Sequence, residues 1–477
     1  MWVWLTVSLV IFTLQVLTIL IIEFRHPAKA VSWLFVLFVV PVIGFVVYYF
    51  LAKEYQKRRI LRDRENRLSN EVEDIMRTRT MIVHTPEDIA SSDIHIQERL
   101  LSLLTSFGDS PITTRNETRV LTNGRETFDT IFEEIGKATH HIHIEYYTIR
   151  NDEIGLELQS LLIAKAKEGV KIRIIYDGIG SYELGDDYLN PLHNVGVESR
   201  CYLPAWFAFF NRRMNYRNHR KIIVIDGKVG FLGGINVGDE YLGKHKTLGF
   251  WRDTHLMVSG DSVYFLQNIF LTDWYFVNKT KISDNEYFPI HHCEGTKQIQ
   301  IVASGPDSTW DSILEIYFGA ISTAKKRIFI TTPYFVPDPS LYMALKTAAL
   351  SGVDVRVILP GKPDHKVVFW ASLSYLNELL QVGVRFYQYQ KGFVHAKVLI
   401  ADDILASVGT ANVDMRSFQY NFEVNAVVFD KQTIQRLETD FYQDLKDSKE
   451  VIFEEFDKRS RFLKGREVLS RLLSPLL

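Results

Sequence analysis

The sequence predicts a mixed α/β fold of two pseudo-twofold-related halves, mixed β-sheets flanked by helices, set behind an N-terminal hairpin of membrane-crossing helices. Three observations predict it. Two long uncharged runs open the chain; beyond about residue 110 an alternation of strand and helix patterns occurs twice; and each copy carries one His-x-Lys-x-x-x-x-Asp signature. At 477 residues the chain exceeds the size at which one core stops growing, so several packed units are expected. Its 47% hydrophobic residues exclude a disordered chain. A net charge of −2 argues against the basic footprint of a nucleic-acid binder. Two cysteines, Cys201 and Cys293, provide neither a disulfide framework nor a thiolate zinc set.

The membrane segment is predicted over residues 1–52. No residue from Trp2 to Ile22 or from Ala30 to Ala52 is charged, and each run is long enough to cross a hydrocarbon core of about 30 Å as a helix. Pro27 lies in the short connection, so spans at about 2–22 and 30–52 are expected to form a hairpin. Trp2, Trp4, Trp33, Tyr48 and Tyr49 fall near the span ends, where amphipathic rings prefer the interface. A cleaved signal peptide needs a basic start and a small-residue cleavage site, and residues 1–22 have neither. From Lys53 to Arg67, seven basic residues face three acidic ones, against two basic residues in the loop between the spans. The positive-inside rule then puts the rest of the chain in the cytoplasm. That run belongs to a basic, helical juxtamembrane linker over 53–108, either a solvated helix face or a surface drawn to anionic headgroups.

The first half is expected over 109–290 and the second over 291–477. His141–Tyr147 and Gly169–Asp177 read as strands around an amphipathic helix at 156–168, and Arg327–Tyr334 and Gly352–Pro360 repeat them around 340–350. The separation of His219 from His395 equals that of Asn236 from Asn412, as a duplicated site requires. At the end of the chain, residues 456–477 mix Lys458, Arg461, Lys464 and Arg466 with Phe462, Leu463 and Leu469. This is the pattern either of a surface-lying amphipathic helix or of a core-packed one.

The signature itself carries the chemistry. In the first copy a β-branched run ends at Asp226-Gly227, a strand followed by a tight turn. Two residues apart on a pleated strand, His219 and Lys221 point the same way, so an imidazole and an ammonium can reach one anionic group. Asp226 has the opposite parity and falls at the turn, so it is expected to brace the hairpin. The returning strand ends in Gly233-Gly234-Ile235-Asn236, where backbone N–H groups can approach a phosphate and Asn236 adds an amide. His395, Lys397, Asp402, Thr410 and Asn412 offer the same set in the second copy. Two histidines, two lysines and two asparagines around one cavity, without an acidic cluster for a divalent metal, suit a phosphodiester. The lysines and asparagines would stabilise the nonbridging oxygens. One histidine would attack phosphorus and the other would act as acid and then base. Each ring needs a carboxylate or carbonyl on its other nitrogen, and Asp253 and Glu423, downstream of the two signatures, are the candidates.

These residues resemble the phospholipase D superfamily, and over its whole length the chain is similar to the membrane-anchored bacterial cardiolipin synthases within it. The resemblance implies a cell-membrane enzyme that joins two phosphatidylglycerol molecules into cardiolipin, releases glycerol, passes through a phosphatidyl-histidine and uses no metal or other cofactor. It carries over His219, Lys221, Asp226, His395, Lys397 and Asp402 as the active-site set, with His219 as nucleophile. A phospholipase D-type hydrolase is the alternative. Gly234 and Thr410 stand where relatives often have serine, which puts one hydroxyl contact to phosphate in doubt. The connector Tyr202–Arg213, with four aromatic residues after Pro204 and then two arginines, is expected either at the lipid interface or in the core.

Overall fold

The computed structural model describes residues 2–23, 27–51, 70–83, 98–204, 216–282, 284–308 and 310–474. The basic run Lys53–Arg67 and residues 205–213 of the aromatic connector lie outside them.

The first apolar run is one helix, α1 (Trp2–Ile22), whose 21 residues suffice to cross a bilayer. The second run departs from expectation: in place of a single helix over 30–52 there are two, α2 (Pro27–Val39) and α3 (Pro41–Leu51), and α1 is the one candidate span among the described residues. Pro41 is the physical reason. It has no N–H to donate to the Leu37 carbonyl and its ring disfavours a helical conformation at Val40, while its fixed φ suits the first turn of a new helix. Gly44 then lets α3 fold back along α2, since a Cβ there would lie 2.9 Å from the Val36 carbonyl oxygen.

Each half of the body is a sheet with the same strand order. In the first the strands run Asn116–Thr122, Thr254–Gly260, Val229–Gly233, Lys221–Ile225, His141–Tyr146, Lys171–Asp177, Glu198–Tyr202. In the second they run Ile299–Ser304, Asn421–Val428, Leu405–Gly409, Val398–Ala401, Arg327–Thr331, Asp354–Pro360, Arg385–Tyr389, with Ile112–Thr113 and Ser448–Glu450 added at the edges. Lys221–Ile225 and Val398–Ala401 are therefore central strands, buried at every residue, as their unbroken apolar runs require. The crossover helices Glu153–Lys167 and Pro339–Leu350 match the amphipathic stretches at 156–168 and 340–350. Asp152 and Asp338 cap them by accepting from the backbone N–H of Gly155 and Ser340.

The halves exchange short strands. Arg217–Asn218 pairs in parallel with Asn421–Phe422 of the second half, and Gly392–Val394 pairs in parallel with Phe250–Arg252 of the first. The helix Glu98–Ser106 precedes the first half in sequence, yet its buried Leu100, Leu101 and Leu104 join the second half's core together with Ile112. Amphipathic spacing marks that helix but not the sheet it covers. At the other end of the chain, the helix Arg461–Leu472 lies beside the helix Lys366–Ser374, burying Glu467 and Ser470 while Phe462, Val468 and Leu469 stay exposed. The Ser32 hydroxyl of α2 donates to its Leu472 carbonyl at 2.5 Å.

Candidate active site

The exchanged strands bring the two signatures face to face. The backbone N–H of His219 donates to the Phe422 carbonyl at 2.9 Å, and that of His395 donates to the Arg252 carbonyl at 2.7 Å, so each histidine is held by the other half. The side chains repeat the crossing. His219 Nδ1 lies 2.9 Å from a Glu423 carboxylate oxygen, and His395 Nδ1 lies 2.8 Å from Asp253. With Nδ1 turned to a carboxylate, each ring presents Nε2 to the space between the halves. Lys221 Nζ donates to the His219 carbonyl at 2.8 Å and Lys397 Nζ donates to the His395 carbonyl at 2.5 Å. His219 and the His395–Lys397 segment lie in the short links between the exchanged strands and the central strands, so the pairing of imidazole with ammonium is set by these links rather than by the regular strand expected from the sequence.

Burial sets the electrostatics. It pushes both imidazoles down to about 4, Lys221 to about 7 and Lys397 to about 8; each histidine is lowered further by the lysine of its own signature and, less, by that of the other. Asp253 goes the other way. Burial opposes its ionisation, but His395 and Lys397 outweigh that and bring it to about 2. Glu423 is likewise held below the usual carboxylate range against its burial by His219 and Lys221. The carboxylates are therefore ionised and the free rings neutral at pH 7. A phosphodiester anion among two ammonium groups favours every cationic form in the site.

The remaining predicted residues fall into place around this centre. Asp226 and Asp402 sit at the far ends of the histidine-bearing hairpins, both with φ of +52°. Asp226 accepts from the backbone N–H groups of Thr139, His140 and His141 at 2.8–2.9 Å, and Asp402 accepts from Lys325, Lys326 and Arg327 at 2.8 Å. Each carboxylate stitches its turn to the start of the neighbouring strand. Asn236 is engaged within the protein, accepting from Thr148 N–H at 3.2 Å and donating to the Tyr241 hydroxyl at 2.8 Å. Asn412 interacts with Asp414 through its side chain. The Thr410 hydroxyl binds Val424, accepting from its N–H at 2.9 Å. Gly234 is required by close approach, because a Cβ there would lie 2.0 Å from Asp253 Oδ1. Of these four, Gly234 lies against Asp253 and the Thr410 hydroxyl interacts with Glu423, whereas Asn236 and Asn412 are engaged with Thr148, Tyr241 and Asp414.

Other neighbours carry no signal in the signatures. Tyr147 packs edge-on to His219 at 5.1 Å, with Lys221 Nζ 5.6 Å from its ring, while His395 is walled by Trp251, Phe393 and Tyr241 at 5.2–6.3 Å. Asp177 accepts from the Asn218 N–H at 3.0 Å and from Ile179 and Gly180, fixing the approach to His219. The ends of the strands His141–Tyr146 and Lys171–Asp177, which carry Tyr147 and Asp177, are the one hint the sequence offers.

A repeated sheet in which each half brings an imidazole and an ammonium beside its central strand, with each ring held by a carboxylate of the other half, defines the phospholipase D-like class. The family model described as "Cardiolipin synthase, PLD-like domain" matches residues 131–274 and 317–445, one stretch in each half. A cardiolipin synthase from a Geobacillus species is 46% identical over 96% of this chain and 90% of its own length, and one from Staphylococcus aureus is 42% identical over 96% and 94%. The chain belongs to the cardiolipin synthase family. Among solved structures, a phosphatidylserine synthase from Haemophilus influenzae shares the fold at 14% identity, with a TM-score of 0.62 over 80% of this chain and all of that one.

Proposed function

We propose that the chain transfers the phosphatidyl group of one phosphatidylglycerol to a second, giving cardiolipin and glycerol through a phosphatidyl-histidine, at a bacterial cell membrane with the catalytic body on the cytoplasmic side. The observation that carries the mechanism is the crossed pairing of His219 with Glu423 and His395 with Asp253. His219 Nε2 attacks the donor phosphorus; the bond from phosphorus to the glycerol oxygen breaks, and His395 supplies the proton to that oxygen. The terminal hydroxyl of the second phosphatidylglycerol then gives its proton to His395 and attacks phosphorus, breaking the phosphorus–nitrogen bond. Lys221 and Lys397 neutralise the nonbridging oxygens, with Asp253 stabilising the imidazolium form of His395. Family membership supports the lipid substrate, and the aromatic wall around His395 supports transfer over hydrolysis by limiting water at the acceptor step. The basic run after residue 52 supports the cytoplasmic side.

Membranes containing the protein, supplied with phosphatidylglycerol, are expected to yield cardiolipin and glycerol; phosphatidic acid as sole product refutes transfer. His219→Asn is expected to abolish a trapped phosphoenzyme and His395→Asn to let it accumulate. The reverse pattern exchanges the two roles.

A further inference from the structure

The three helices at the start of the chain do not have the geometry of two spans. At about 1.5 Å per residue, α2 and α3 are roughly 20 and 16 Å long, each far short of a hydrocarbon core of about 30 Å, whereas α1 reaches roughly 31 Å. They run antiparallel: Gly44 lies against Val36 close to the bend, and the Trp33 and Tyr48 rings meet at 5.4 Å near the open end. Phe38, next to the bend, touches the ring of Phe12 at 6.1 Å. Phe12 is midway along α1, so the tip of the hairpin reaches the middle of the span and stops. From Trp2 to Ile11, α1 is exposed throughout, while Ile19 is fully buried against α2 and α3.

The polar groups mark the opposite end of the bundle. Glu23 at the end of α1, Lys29 at the start of α2 and Tyr48 near the end of α3 meet at one level. The Glu23–Lys29 ion pair spans 3.5 Å, the Tyr48 hydroxyl donates to Glu23 at 3.5 Å, and both charged side chains are almost fully buried. Buried charges at the rim of an apolar bundle persist only when paired. This level abuts the catalytic body: Lys29 Nζ stands 5.4 Å from the ring of Tyr420, three residues before Glu423, and Ser32 holds the carboxyl end of the helix Arg461–Leu472. That helix also exposes apolar side chains, Phe462 and Leu469, and Arg461, Lys464 and Arg466 on it complement an anionic leaflet.

We propose that residues 27–51 form a re-entrant hairpin that dips to the bilayer midplane from the side of the catalytic body, so that the chain crosses the membrane once, through α1, and its N-terminus lies on the opposite face from the active site. The proposal rests on the membrane reading under Proposed function. It reverses the topology of a two-span hairpin, which puts the N-terminus and the body on one face and residue 27 on the other.

The test uses the full chain with Cys201→Ser and Cys293→Ser, carrying one cysteine at a time: Val3→Cys, Pro27→Cys, Phe38→Cys or Glu454→Cys, with Val31→Cys in place of Pro27→Cys if the latter forms no cardiolipin. A membrane-impermeant charged maleimide is applied to intact cells and to inverted vesicles. Residue 3 is expected to react only in intact cells, residues 27 (or 31) and 454 only in inverted vesicles, and residue 38 only after detergent. Labelling of residues 3 and 454 from one face with residue 27 from the other overturns the proposal. Loss of the protein from membranes on a carbonate wash removes the membrane reading itself, an outcome distinct from either labelling pattern.

Discussion

His219 and His395 are held near pH 4 by burial, below the value of about 6.5 they have in an unfolded chain. Between those two values the unfolded chain binds more protons than the folded one, so stability falls as pH drops from about 6.5 towards 4. Lys221 and Lys397 act with the same sign in a higher window: at about 7 and 8 when folded, against about 10.4 unfolded, they make stability rise with pH between those limits. Thermal midpoints at pH 5 and pH 7 are expected to differ less in the His219→Gln, His395→Gln double variant than in the parent, and equal differences contradict the assignment. Glu423→Gln and Asp253→Asn keep the shape of the ring partner and lose its charge, so each is expected to lower turnover by about 10²–10⁴-fold. Glu423→Gln should slow formation of the phosphoenzyme, and Asp253→Asn should leave both half-reactions short of their proton carrier, as rapid-quench kinetics would separate. The two histidines and two lysines that the structure brings together stand in the repeated signatures of the sequence. Which carboxylate serves which ring is not readable there, because the partners lie 204 and 142 residues apart and on opposite halves.

Among the elements, the crossover helices were readable within a few residues because an amphipathic period survives on the surface of a sheet. The exchanged strands were not, since two or three residues such as Arg217–Asn218 carry no period at all. The second apolar run misled for another reason: counting uncharged residues gives a length and no direction, and Pro41 with Gly44 held the information about the bend. The turn aspartates suit a direct test. Asp402→Ala strips the acceptor from three backbone N–H groups and leaves alanine at φ +52°, so a loss of about 3 kcal/mol is expected, with Asp402→Asn losing clearly less. Denaturant titration of the detergent-solubilised protein measures both. Gly234→Ala is expected to displace the Asp253 carboxylate and to reduce turnover with little loss of stability, the His395 step being the one affected.

On the scale of the whole molecule, neither half holds a complete site. The sequence shows the duplication plainly, through equal spacings and matched strands, and the pseudo-twofold arrangement follows from it. The mutual dependence of the halves does not, because it lies in contacts across the axis. Either half expressed without the other is expected to form no phosphoenzyme. A second half starting at residue 291 also lacks Leu100, Leu101 and Leu104 from its core and is expected to be insoluble, whereas restoring residues 98–113 in trans should improve its yield.

The exchange of carboxylates across the axis also constrains how such a chain can change over time. A duplicated gene ordinarily frees one copy to drift, but here the ring of each copy takes its orientation from the other. Substitutions at position 253 are therefore felt at 395, and those at 423 at 219. The units of inheritance in this site are two diagonals, and covariation among descendants should follow 219 with 423 and 395 with 253 rather than the boundaries of the repeat.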